Sequence, residues 1–283
     1  MAHLAAARIR RPSGAVDPLT VDALPPQPRP VGGRYIAPAI ALVGIAAWEL
    51  AVRVQLVSDM FVPAPSAIAI ALLHGLAGGE LLVNLGVTLV RVGTGLAIGG
   101  TFGLLAGLAL GASRRLSAIF DPFVAAIHPI PKLTLLPLMM VFFGLGETPK
   151  ILVVAASSFF PLLLNTMAGV RQISPVHFDA ARTYGASRRQ LIACVVLPGS
   201  VPMMLSGLRI GANLAFLSAI AVEMVASKNG LGAEVWLAWQ VLRVDELFAT
   251  LTVIAILGVT VNAALRRLSQ WGAPWLSARE LTI

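Results

Sequence analysis

The chain of 283 residues is 57% hydrophobic and only 12% charged, against about 45–50% and about 25% in an ordinary soluble domain. A mean hydropathy of +0.85 over 29.6 kDa leaves too little polar surface to coat a globule, which excludes a soluble enzyme and places most of the exterior in lipid. The net charge of +8 then reads as the surplus of Lys and Arg that membrane proteins keep on cytoplasmic loops, and a nucleic-acid footprint is excluded for want of a soluble face to carry it.

Residues 1–34 carry Pro12, Pro18, Pro25, Pro26, Pro28 and Pro30 without apolar periodicity, and are expected to be a disordered cytoplasmic tail. A cleavable signal would place an apolar run directly behind Arg8, Arg10 and Arg11, whereas the first long one begins near Ile36, so the tail is expected to be retained. A spanning helix needs roughly 20 apolar residues. Stretches 36–57, 84–110, 149–170, 202–226 and 247–266 meet or approach that length. A sixth, 119–143, is interrupted by Pro122, Pro129, Pro131 and Pro137. Each proline removes a backbone donor, so this span is expected to kink or unwind in the interior, where its freed carbonyls find partners. Ahead of the second span, Pro63 and Pro65 followed by the apolar run to Leu73 predict a short helix on the outer surface, with Pro65 or Ser66 in its first turn. The second span carries Gly95, Gly99, Gly103, Gly107 and Gly111, a slowly wrapping strip that predicts close packing against a neighbouring helix.

Fourteen of the 21 basic residues fall on one side of these spans, in the N-terminal tail, the 111–118 and 171–201 connections and the C-terminal segment. Only Lys150, Lys228 and Arg243 fall on the other. Both termini and the 171–201 loop are therefore expected in the cytoplasm, with Trp271 and Trp275 at the inner interface and Trp236 and Trp239 at the outer. The chain divides into a tail (1–34), a membrane domain (35–270) and a second tail (271–283). Cys194 is the only cysteine, which excludes an intrachain disulfide and a multi-cysteine metal site, and it is expected to be a small buried residue. His3, His74, His128 and His177 are scattered, and no nucleophile, base and orienter set is present, so neither metal nor active site is expected.

The 171–201 loop is punctuated as two short helices. Ser174 is a good N-cap with Pro175 at the first helical position, and Gly185 supplies a left-handed stop. Ser187-Arg188-Arg189-Gln190 is a capping box that opens a second helix, expected to end at Leu197 because Pro198 cannot continue it. The small Ala180 and Ala181 permit close approach, and Arg182, Arg188 and Arg189 offer charge. At these residues the chain resembles a known family. Asp179-Ala180-Ala181, then Gly185, Val195 and Leu197-Pro198, reproduce the EAA motif of permease subunits of ATP-binding-cassette importers, with Asp for the usual Glu and Val for the usual Ile.

The resemblance extends over residues 36–270. Val62-Pro63-Ala64-Pro65-Ser66, Thr88-Leu89-Val90-Arg91-Val92-Gly93, Pro129-Ile130-Pro131-Lys132, Phe143-Gly144-Leu145-Gly146, Ser206-Gly207-Leu208-Arg209, Val222-Glu223-Met224 and Asn229-Gly230-Leu231-Gly232 are similar to the nitrate, sulfonate, taurine and bicarbonate branch. The resemblance implies an all-α membrane protein of the type I importer kind, with six transmembrane helices in a bacterial inner membrane. It also implies a second permease copy, an extracytoplasmic binding protein, and two ATPase subunits that hold the ATP and Mg. Asp179, Ala180, Ala181, Arg182, Gly185, Leu197 and Pro198 would then be the coupling element. In keeping with that division of labour, the chain has no G-x-x-x-x-G-K-[ST] phosphate loop.

Arg91, Lys132, Arg209 and Glu223 lie in apolar stretches, where a central charge costs on the order of 2.5–3.5 kcal/mol and faces the interior. Arg209, Asn213 and Glu223 fall near one face of the fifth span at ~3.6 residues per turn. They either line the translocation path or, with Arg91 or Lys132, form a static ion pair. On the fourth span Ser157, Pro161 and Asn165 make a polar strip that serves interhelical hydrogen bonding or substrate contact. A secondary transporter or channel working without ATP would instead show an inverted repeat with interrupted helices in both halves, and only one span is broken. A membrane scaffold would not need Glu223, Arg209 and Lys132 at membrane depth.

Overall fold

The computed structural model describes residues 33–272, and every regular element among them is helical. The prolines of the N-terminal tail, and Trp275 and Arg279 of the C-terminal one, lie outside the described residues. The chain divides into two compact units, residues 1–47 and residues 48–283. The described part of the first is the opening of α1 (Gly33–Arg53), on which Ile36, Ile40, Leu42, Val43 and Ile45 are all exposed. Large apolar groups on successive faces are what a helix in lipid carries.

In the second unit, the Glu49 carboxylate accepts the Ser66 amide at 3.0 Å and the Ser66 hydroxyl at 2.8 Å. That supplies an N-terminal cap to α2 (Pro65–Gly78), since Ala64 in the cap position has no oxygen to offer. α2 starts at Pro65, as expected. Gly79, at φ 80°, turns the chain into α3 (Glu80–Ala112). The proline-rich span becomes α4 (Arg114–Ile127), a 3₁₀ turn (Lys132–Leu135) and α5 (Leu136–Phe143), with its two arms bent by 89°. Pro122 is tolerated inside α4, so the break falls at Pro129–Pro131. Next come α6 (Glu147–Arg171), α7 (Pro175–Thr183) and α8 (Arg188–Leu191), then α9 (Leu197–Ala226), α10 (Leu231–Gln240) and α11 (Val244–Gly272).

The packed centre is α3, α6 and α9. A Cβ placed on Gly95, Gly99, Gly103, Gly107 or Gly111 would strike, in that order, Val154, Ala155, Phe159, Leu163 and Val170, each within 2.7 Å. The two series rise together, so α3 and α6 run parallel with their backbones in contact along the whole strip. On an adjoining face of α6, Gly207 meets Pro161 and Asn165 while Gly211 meets Ser158 and Leu162. Here one series falls as the other rises, and α9 is antiparallel.

Two expectations are corrected on the segment leading into α9. The helix opened by Ser187 does not stop at Leu197: it passes through a π turn, Ile192–Val196, and continues as α9. The wider turn shifts the hydrogen-bond ladder, so the amide that Pro198 lacks is not called on. Cys194 is exposed on that turn rather than buried. Its neighbours Ile192 and Ala193 are exposed too, because the segment lies outside the three-helix centre.

Among the described residues, α3, α6, the continuous helix Arg188–Ala226 and α11 are long and apolar enough to cross a membrane, and the bent pair makes five if it is one span.

Candidate functional site

Three features stand out: a buried ionic junction at one end of the bundle, a cavity beside the proline break, and the folded 171–201 loop at the other end.

The junction is built on Arg91 of α3. Its Nε donates to Glu147 Oε2 at 2.6 Å and its Nη2 to Glu147 Oε1 at 2.8 Å. Nη1 donates to Glu223 Oε1 at 2.9 Å and to the Asn229 carbonyl at 2.7 Å. Glu223 also accepts the Thr88 hydroxyl at 2.9 Å and the Gly232 amide at 2.9 Å. Lys150 Nζ reaches Glu147 at 2.9 Å. The side chains of Arg91 and Glu223 are 4% and 0% exposed, that of Glu147 55%. Buried charges persist only when paired and hydrogen-bonded, and every partner needed here is present.

The same junction caps α10. The amides of Gly230, Leu231 and Gly232 donate to Asn84 Oδ1, Thr88 Oγ1 and Glu223 Oε2 at 2.8–3.0 Å, replacing the side-chain cap that Gly230 cannot provide. Gly230 sits at φ +111°, and a Cβ there would lie 2.4 Å from the Glu223 carboxyl carbon. Asn84 also donates to Glu234 at 2.8 Å, and burial pushes the Glu234 carboxyl above its ordinary value. The stretches 88–93, 222–224 and 229–232, far apart in sequence, thus meet around one arginine.

At the proline break, Lys132 Nζ donates to the carbonyls of His128 and Ile130, both at 2.7 Å, and to that of Ile127 at 3.3 Å. It lies 4.5 Å from the Phe160 ring centre. The ammonium takes the place of backbone donors that Pro129 and Pro131 remove. Beside it a cavity of about 330 Å³ is lined by His128, Lys132, Ser157, Phe160, Leu217 and Ser218 among others. The Ser218 hydroxyl donates to Ser157 Oγ at 2.7 Å.

The structure therefore distributes the polar residues of the spans. Arg91 and Glu223 form an ion pair, Lys132 and Ser157 share the cavity, and Asn165 bonds the Pro161 carbonyl at 2.8 Å in the α6–α9 contact. Arg209, Asn213 and Glu223 lie on the one helix α9 and differ in exposure: Glu223 is buried, Arg209 half-buried and Asn213 exposed. Ten residues at ~100° each leave Asn213 and Glu223 ~80° apart, enough to separate a packed side from an open one.

In the loop, Ser174 holds the N-cap position of α7 without a side-chain bond to it. The C-terminus closes with Gly185 N–H on the Arg182 carbonyl at 2.9 Å and Ala186 N–H on that of Ala181 at 3.0 Å, the Schellman pattern, with Gly185 left-handed at φ +75°. Ser187 and Gln190 form the expected capping box. Arg171, at the foot of the loop, binds Asp121 of α4 at 3.1 Å and Ser117. The unit is ordered yet outward-facing: Val176 and Tyr184 are 69% and 91% exposed, and the Asp179–Arg182 pair, 3.6 Å apart, is open to solvent. Exposed large apolar groups beside charges mark an interaction surface.

A family model described as binding-protein-dependent transport system inner membrane component matches residues 99–277. The chain belongs to this family of transport permeases. It is 35% identical over 236 residues to the taurine transport system permease protein TauC of Escherichia coli K12, covering 82% of this chain and 86% of that protein. It is 29% identical over 236 residues to the putative aliphatic sulfonates transport permease protein SsuC of Bacillus subtilis 168, covering 83% and 86%. The fold matches that of a chain in the crystal structure of an amino acid ABC transporter with histidines, with a TM-score of 0.57 at 18% identity over 71% of this chain and 95% of that one. The permease fold and a multi-pass inner-membrane location follow. Glu147 and Asn84, which help hold the permease's buried junction together, are site residues that the sequence pattern did not single out, and Thr88 was named there only as part of the 88–93 stretch.

Proposed function

We propose that the chain forms half of the translocation path of an ATP-driven importer for a small anion of the sulfonate kind. It pairs with a second copy, receives solute from an extracytoplasmic binding protein, and is driven by two ATPase subunits seated on the 171–201 loops. The sulfonate class is supported by the transported solutes named for the relatives. α1, with 21 residues, is ~32 Å long at 1.5 Å per residue and serves as the sixth span. With six spans both termini share the basic, cytoplasmic side with the loop.

The observation that carries this reading is the α7–Gly185–α8 unit, an ordered, capped and outward-facing element standing on the ends of α6 and α9. A push on it is transmitted directly to both helices, since α8 is continuous with α9. Asp179, Ala180, Ala181, Arg182, Gly185, Leu197 and Pro198 make up the coupling element, with Lys132 and Ser157 on the path. ATP and Mg reside on the partner.

Gly185→Pro cannot adopt φ +75° and loses the amide that closes α7, while Asp179→Lys reverses the charge on the exposed face. Both variants are expected to insert and to assemble as permeases while losing solute-stimulated ATP hydrolysis and uptake in proteoliposomes. Normal uptake in both would exclude docking on this loop.

A further inference from the structure

A cavity of about 970 Å³ lies at the loop end of the bundle, bounded by the end of α3, the start of α4, the end of α6 and the α7–α8 unit. Its apolar lining includes Leu110, Ile173, Phe178 and Ile192, and its charged lining is Arg114, Arg171, Arg182 and Arg188 against the single carboxylate of Asp121. That carboxylate is engaged by Arg171, and Arg182 is paired with Asp179. Among the described residues, Arg114 and Arg188 form no ion pair with a carboxylate. The cavity thus combines two uncompensated guanidinium groups with an apolar wall, at the level where the membrane-crossing helices end.

We propose that this cavity binds the phosphate headgroup of an anionic phospholipid of the inner leaflet, with Arg114 and Arg188 as its ligands. The guanidinium fork matches phosphate oxygens in pairs. A free anion has no use for the apolar wall, whereas the glycerol and first methylenes of a lipid lie against it, and basic pockets between helices on the cytoplasmic side recruit such headgroups. The bound lipid bridges the start of α4 to the start of α8, joining the foot of the broken span to the coupling loop. The inference rests on the cytoplasmic placement of the loop proposed above.

Neighbouring arginines provide the control. Arg115 and Arg189 adjoin Arg114 and Arg188 in sequence and carry the same charge, yet do not line the cavity. The full-length chain, purified in detergent, is titrated with phosphatidylglycerol and with phosphatidylcholine and examined by native mass spectrometry. At about fivefold per basic residue, Arg114→Gln with Arg188→Gln is expected to weaken phosphatidylglycerol binding about 25-fold. Arg115→Gln with Arg189→Gln leaves it unchanged, and phosphatidylcholine binds weakly throughout. Arg114→Lys with Arg188→Lys retains part of the affinity, which separates loss of the site from loss of the fold.

Equal weakening by both pairs would reduce the effect to diffuse charge and overturn the site. Full displacement by millimolar inorganic phosphate would make it a free-anion site and overturn the lipid. Unchanged phosphatidylglycerol binding in Arg114→Gln with Arg188→Gln would overturn the site outright. Labelling of Cys194 from each side of the membrane checks the orientation separately, so failure of that reading is distinguishable from failure of the lipid site.

Discussion

Arg91 is held by two carboxylates that differ in their surroundings, and the difference ranks their contributions. Glu223 is fully buried and caps α10 as well, so Glu223→Ala takes one of two counter-charges from a buried guanidinium and leaves the Thr88 hydroxyl and the Gly232 amide without their acceptor; a loss of about 3–5 kcal/mol is expected. Glu147 is half exposed, so water can reach the Arg91 and Lys150 groups that Glu147→Ala uncovers, and a smaller loss of about 1–3 kcal/mol is expected. Thermal melting of the two variants in detergent, followed by circular dichroism, measures the order. Equal losses would mean that the junction is not the buried anchor its geometry describes. Arg91 and Glu223 were legible in the sequence because a charge in an apolar run must find a partner. Glu147 was not, since it stands just outside the apolar stretch 149–170, and Asn84 carries no charge to betray it.

Between elements, the permease is organised by backbone approach: α3 meets α6 through glycines, and α6 meets α9 through Gly207 and Gly211, continued by buried Ala215 and Ala219. Lipid supplies little drive for apolar helices to associate, so dispersion across close backbones holds them together. Gly99→Ala would place a methyl 2.0 Å from the Ala155 carbonyl oxygen, a backbone atom that cannot swing away. Gly93, on the same helix, has nothing within 4 Å of its would-be Cβ. Gly99→Ala is expected to destabilise the α3–α6 pair severely, while Gly93→Ala is tolerated and gains about 1 kcal/mol of helix propensity. Yields of folded protein after mild heating compare the two, and a tolerant Gly99 would exclude the contact. The glycine strip of α3 announced this packing in the sequence, and the small-residue strip of α9 at the same spacing carried the same signal. The passage of the helix through Pro198 could not be read, because a π turn depends on how the loop joins the bundle rather than on local residue types.

Across the whole molecule, the junction and the loop fix opposite ends. α3 and α6 run parallel, with the starts of both near Arg91 and Glu147 and the end of α6 beside the loop, so the chain between them must return. The bent pair α4–α5, its arms 89° apart, lies in that return. α9 then leads back from the loop to the junction. This alternation makes the placement of one loop residue sufficient to orient α3, α6 and α9, and the chain provides that residue. Cys194 is its only cysteine, is exposed, and lies on the π turn of the loop. The basic surplus makes the cytoplasm its expected side. A membrane-impermeant maleimide is therefore expected to label Cys194 in inside-out vesicles and not in intact cells. In a Cys194→Ser background, Lys228→Cys, at the junction end, is expected to show the reverse pattern. Labelling of Cys194 from outside would invert the topology and remove the loop from the reach of any cytoplasmic ATPase.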